Sequence, residues 1–183
     1  MTDLSLYILD ITMNSVRAGA ENISIELEEE RKLLTLRITD NGCGMTAEQV
    51  EKLSNPFFTT RTTRKVGLGI PFLRMLSEQT GGGVTIVSKS EKEYSDHGTV
   101  VTATFHSDHI DFVPLGDLVE TVLTLIQGSP DVDFVYRHTS DEGVDVSMNT
   151  AEMRAVLGED IPLNSFEVLE FIRGFLEDQY AQK

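Results

Sequence analysis

The chain has 183 residues, 40% of them hydrophobic, enough for one compact domain with or without a small appendage. Its 30 acidic residues against 15 basic ones leave a formal net charge of −15, which excludes nucleic acid or an anionic membrane as the main partner but not a nucleotide held by a local positive potential. One cysteine, Cys43, excludes an internal disulfide; the start, Met1 to Leu4, lacks a basic n-region and a signal-like apolar core, and no apolar run is long enough to span a bilayer, so the expectation is a soluble cytoplasmic protein.

Thr2 and Asp3 are capping residues for a helix from Leu4 to Arg17, whose apolar stripe runs through Leu4, Ile8, Ile11 and Ser15. Residues 23–28 alternate apolar and polar, as do residues 34–38, and the charged turn at Glu29 to Lys32 joins them as a hairpin. Thr46 and Gln49 form a capping box that opens a short helix to Leu53. Residues 54–66 read as a loop, followed by a helix over 68–79 that Gly81 stops. Residues 84–87 and 100–105 read as a second hairpin. Beyond a composition change near 106–114, the pattern predicts a helix over 115–126, strands over 132–137 and 144–148, a short helix over 150–157, and a last helix over 166–176 capped by Asn164. The division expected is a domain of residues 1–108 followed by a small α+β unit, helix, hairpin and helix, over 109–183.

Four segments carry chemistry. Asp10, Asn14 and Arg17 lie at i, i+4 and i+7, on one face of the first helix. A carboxylate there can orient or deprotonate a water, an amide oxygen can bind Mg2+, which takes few protein ligands, and a guanidinium can meet a phosphate. A plain solvent-facing polar stripe explains the same pattern equally well. Asp40, at a strand end before Gly42, Cys43 and Gly44, can accept a hydrogen bond from an exocyclic amine such as adenine N6, while the glycines let backbone approach a flat base; an ordinary Asn-Gly turn is the alternative. Gly67, Leu68 and Gly69 open a helix, where free N–H groups and the dipole form a phosphate cradle beside the bases Arg61, Arg64 and Lys65. Gly98 and Thr99 begin the last strand of the second hairpin. The four histidines show no metal-ligand spacing.

In order and in context, these segments resemble the GHKL ATPases, the group of gyrase, its heat-shock relative, histidine kinases and MutL, over residues 1–106, with the histidine-kinase branch nearest. The resemblance implies a two-layer α/β sandwich of the Bergerat type, an α+β fold in which a mixed sheet carries helices on one face. It implies ATP and Mg2+ as ligands, with Asn14 at the metal, Arg17 at a phosphate, and Asp40 reading adenine with Gly42, Gly44 and Met45 beside it. Residues 55–60 are close to the kinase F box, which brings in Phe58. Arg61, Lys65, Gly67, Leu68 and Gly69 fall on the lid and second glycine box, and Thr99 on the strand that helps hold the adenine carboxylate through water. Asp10 stands where hydrolysing members have a glutamate base; being one methylene shorter, it leaves hydrolysis open.

No phospho-accepting helical hairpin stands before the first helix, so autophosphorylation of the usual kind is not expected. The tail resembles nothing named, and its lone lysine, Lys183, does not fit the role of a lysine supplied to the γ-phosphate. Three functions follow as expectations. The first is a regulatory kinase-like module that phosphorylates a partner protein, the second a nucleotide-gated interaction module without catalysis, and the third a slow ATPase within a larger assembly. Oligomeric state is left open.

Overall fold

The computed structural model describes residues 3–54, 69–158 and 160–182. Its elements are α1 (Leu4–Arg17), β1 (Asn22–Glu30), β2 (Leu33–Asp40), α2 (Ala47–Ser54), α3 (Gly69–Gln79), β3 (Gly83–Lys89), β4 (Gly98–His106), α4 (Leu118–Gly128), β5 (Asp133–Ser140), β6 (Asp145–Asn149), α5 (Thr150–Leu157) and α6 (Phe166–Ala181). The strands form one six-stranded mixed sheet in the order β3-β4-β2-β1-β5-β6. Every adjacent pair is antiparallel except β1 with β5, which run parallel. The α+β architecture expected from the sequence is the one observed.

Period-two alternation builds the sheet's inner face. Ile23, Ile25 and Leu27 of β1 are buried and stand in register with Phe134, Tyr136 and His138 of β5. On the other side Leu34, Leu36 and Ile38 of β2 align with Phe105, Ala103 and Val101 of β4. The apolar row therefore crosses the sheet without a break, and α3, α1, α4 and α6, side by side in that order, cover it. Each fully buried leucine or isoleucine in this layer contributes about 1.5–3 kcal/mol of transfer free energy.

The hairpin of residues 133–149 is hydrogen-bonded into the sheet of the preceding residues, and one core cluster runs from Leu4 to Leu176. The link between them is fixed as well. The carbonyls of Pro114 and Leu115 accept from the N–H groups of Leu4 and Ser5 at 2.8 Å each, meeting donors that an α-helix leaves free in its first turn. Gly116, at φ 80°, lies against Asp3 and Ser5.

Two helix starts differ from expectation. α4 begins three residues later than the apolar periodicity suggests, because Asp117 caps it by accepting from Glu120 N–H at 2.9 Å. α6 is preceded by Ser165, not Asn164, and Ser165 makes no side-chain capping bond. The Thr46–Gln49 capping box is present in both directions: Thr46 N–H donates to Gln49 Oε1 and Gln49 N–H to Thr46 Oγ1. Among the described residues no helix is long and apolar enough to cross a membrane.

Candidate nucleotide site

β2 delivers Asp40 to the end of the sheet's centre, where it pairs in register with Thr99 of β4 and Ile23 of β1. Its carboxylate is held from three directions. Oδ1 accepts from the N–H of Gly42 at 2.9 Å and of Thr99 at 3.3 Å, and Oδ2 accepts from Ser15 Oγ at 2.6 Å. An ionised carboxylate has about four acceptor positions. Among the described residues three are filled, so Oδ2 retains one for an outside donor.

The backbone around Asp40 has no room for side chains. Gly42 is buried, and a Cβ on it would stand 3.0 Å from the Ala18 methyl and 3.1 Å from Asp40 Oδ1. Gly44, at φ 63°, would overlap the Lys89 carbonyl, and Gly98, at φ 145°, would overlap the Asp40 carbonyl. Gly44 and Gly98 are required by space as well as by conformation, and Gly42 is held tight by its neighbours. The loop is fastened on both sides: Cys43 N–H donates to Ala18 O, and Glu91 N–H donates to Cys43 O, each at 2.9 Å.

Met45 N–H donates to Ser88 Oγ at 2.8 Å, and Ser88 Oγ reaches Gly98 O at 3.1 Å and Thr99 Oγ1 at 2.8 Å. With Ser88 giving its one proton to the carbonyl, Thr99 donates to Ser88 and keeps its own lone pairs for another donor. His97 Nδ1 lies 2.6 Å from Gly42 O; a carbonyl only accepts, so that nitrogen carries the proton.

On α1, Arg17 is exposed and donates through Nη1 to Asn14 Oδ1 at 2.5 Å. Asp10 is half-buried and faces the first turn of α3, where a Cβ on Gly69 would overlap Asp10 Oδ2. The positive end of a helix thus abuts a carboxylate. The structure therefore gathers Asp40, Gly42, Gly44, Met45 and Thr99 into one cluster, and sets Asp10 beside Gly69. Phe58, Arg61, Arg64, Lys65, Gly67 and Leu68 lie outside the described residues.

Three residues escaped sequence reasoning. Ser15 was readable as one polar residue on an apolar stripe. Ser88 and His97 carry no local signal, because their roles depend on the register of β3 with β4.

A model of the histidine kinase-, DNA gyrase B- and HSP90-like ATPases matches residues 2–109. The chain belongs to this ATPase family. Residues 2–109 are accordingly a histidine-kinase-like ATP-binding domain. The sensor histidine kinase ZraS of Escherichia coli O157:H7 is 30% identical over 91 residues, covering 49% of this chain and 20% of that one. Sporulation kinase B of Bacillus subtilis strain 168 is 30% identical over 110 residues, covering 58% and 24%. The chain thus matches only a fifth to a quarter of the length of these kinases. The Aquifex aeolicus MutL ATPase domain complexed with ADP superposes with a TM-score of 0.54 at 16% identity, over 95% of this chain and 88% of that one, and shares the ATPase family's fold.

Proposed function

We propose that this chain binds ATP with Mg2+ at the α1–β2–β4 cluster and acts as a regulatory, histidine-kinase-like module on a partner protein. The observation that carries the reading is Asp40, a half-buried carboxylate with three of its four acceptor positions taken among the described residues. Such a group selects a ligand presenting an amino group, as adenine does and guanine at that edge does not. A wrong base leaves a polar pair unmet, at a cost of about 1–3 kcal/mol. The glycines at 42, 44 and 98 let backbone pack directly against Ala18, the Lys89 carbonyl and the Asp40 carbonyl and so fix the carboxylate, and Thr99 has lone pairs to hold a bridging water.

Asn14 suits Mg2+ in donor type: its amide oxygen already receives a cationic group, the Arg17 guanidinium. The ion, when bound, would neutralise phosphate oxygens, and Arg17 would be released to meet them. Asp10, beside the first turn of α3, would hold a water or an acceptor hydroxyl by its proton. Transfer in such a site rests on positioning and charge neutralisation more than on covalent chemistry.

Calorimetric titration with ATP and Mg2+ tests the reading, with GTP as the comparison. ATP should bind selectively, and Asp40→Asn should weaken it at least about tenfold, or 1.4 kcal/mol. Equal affinity for ATP and GTP, or an unchanged dissociation constant in Asp40→Asn, would sink the assignment.

A further inference from the structure

We propose that the groove between α5 and α6 seats an amphipathic helix of a partner protein, apolar along one face and flanked by lysines or arginines. The inference does not depend on the nucleotide site. The groove has a volume of about 1190 Å3. Its walls include Val156, 87% exposed, and Phe171, 64% exposed, the latter stacked on Phe175 with centroids 6.2 Å apart. Aromatic side chains left open in a concave apolar surface are typical anchors for a partner.

Charge selects the occupant. Residues 110–183 hold 15 acidic and 4 basic residues, a net of −11 out of the chain's −15. Glu152, Asp160 and Glu167 line the groove against one cation, Arg137, and none of the three is ion-paired among the described residues. A second copy would bring the same carboxylates face to face, whereas a cationic partner is attracted.

Geometry selects a helix over a strand. β6 is the edge strand on this side of the sheet, the usual kind of place for an added strand. Its outward groups at Ser147 are already met by one side chain of α6: Ser147 N–H donates to Gln179 Oε1 at 3.0 Å, and Gln179 Nε2 donates to Ser147 O at 3.1 Å. With the middle of that edge blocked and two helices forming the walls, recognition by the apolar face of a third helix is the mode that fits.

The test uses the full chain and a labelled synthetic helix with leucines at every third and fourth position and lysines beside them. Fluorescence anisotropy should show saturable binding that weakens with salt. Phe171→Ser should weaken it about tenfold or more, and so should the pair Glu152→Gln and Glu167→Gln, which leaves the apolar wall intact. Circular dichroism and ATP titration verify that each variant is folded. No binding, equal binding of a control peptide with glutamates for lysines, or indifference to both variants would overturn the proposal. So would a concentration-dependent dimer abolished by Phe171→Ser, which would make a second copy the occupant.

Discussion

Asp10 and Gly69 meet where α1 passes the first turn of α3, with the Asp10 carboxylate in the space a Cβ of residue 69 would need. Only glycine at 69 lets that carboxylate stay. Gly69→Ala should push the Asp10 side chain to another rotamer. If Asp10 is the base, ATP turnover should fall steeply in Gly69→Ala and by about 100-fold or more in Asp10→Asn, with ATP binding kept in the latter. Persistent turnover of labelled ATP in Asp10→Asn would show that another group does this work.

Ser15 should matter for affinity although it sits on the buried face of α1. Its hydroxyl is the sole described donor to Asp40 Oδ2. Ser15→Ala removes that restraint and should weaken ATP by about 1 kcal/mol, roughly fivefold, leaving GTP unaffected. An equal loss for both nucleotides would point to general damage to the fold.

Away from the site, Tyr180 ties α6 to the sheet. Its hydroxyl lies 2.6 Å from Tyr136 Oη and 2.9 Å from His138 Nδ1, and His138 Nε2 donates to Glu29 at 2.9 Å. Tyr180→Phe strands two buried polar groups and should cost about 1–3 kcal/mol in urea unfolding. Burial also pushes the Tyr180 phenol up to about 12 from its ordinary 10, and burial raises Tyr136 as well. A raised pKa means the folded state holds its proton longer than the unfolded chain. This contribution is therefore whole below pH 10 and is lost as pH climbs toward 12. The alkaline loss of stability should be shallower in Tyr180→Phe.

Gly174 sits inside α6, where an added Cβ meets nothing within 4 Å. Gly174→Ala should raise stability by about 0.5–1 kcal/mol through helix propensity alone. A lower melting temperature would show that the methyl group is not accommodated there.

Local elements were legible because each buries one face: α1 from its apolar stripe, β1 and β2 from strict alternation, α5 from its span. What joins them was less so. The parallel pairing of β1 with β5 has no local signature, since the partners are brought together by the intervening chain and by α4. Asp40, Gly42 and Gly44 were legible as a turn before they were legible as a site. The Ser88–Thr99–Met45 contacts needed the β3–β4 register, which the sequence of either strand alone does not set. Apolar spacing continues through Leu115 and so predicts α4 three residues early, while the backbone turn at Gly116 and the Asp117 cap decide where the helix starts.

The β1–β5 ladder joins Asn22 to Asp133. During synthesis the N-terminal half must therefore emerge with the β1 edge open, and that edge closes only once the chain past residue 133 has been made. Pairing so distant in sequence raises contact order and slows folding. Until it happens, the edge of β1 is a template for other strands. A chain cut after residue 109 would carry that vulnerability permanently, so the ATPase-family segment on its own would tend to aggregate, where the whole chain folds shut.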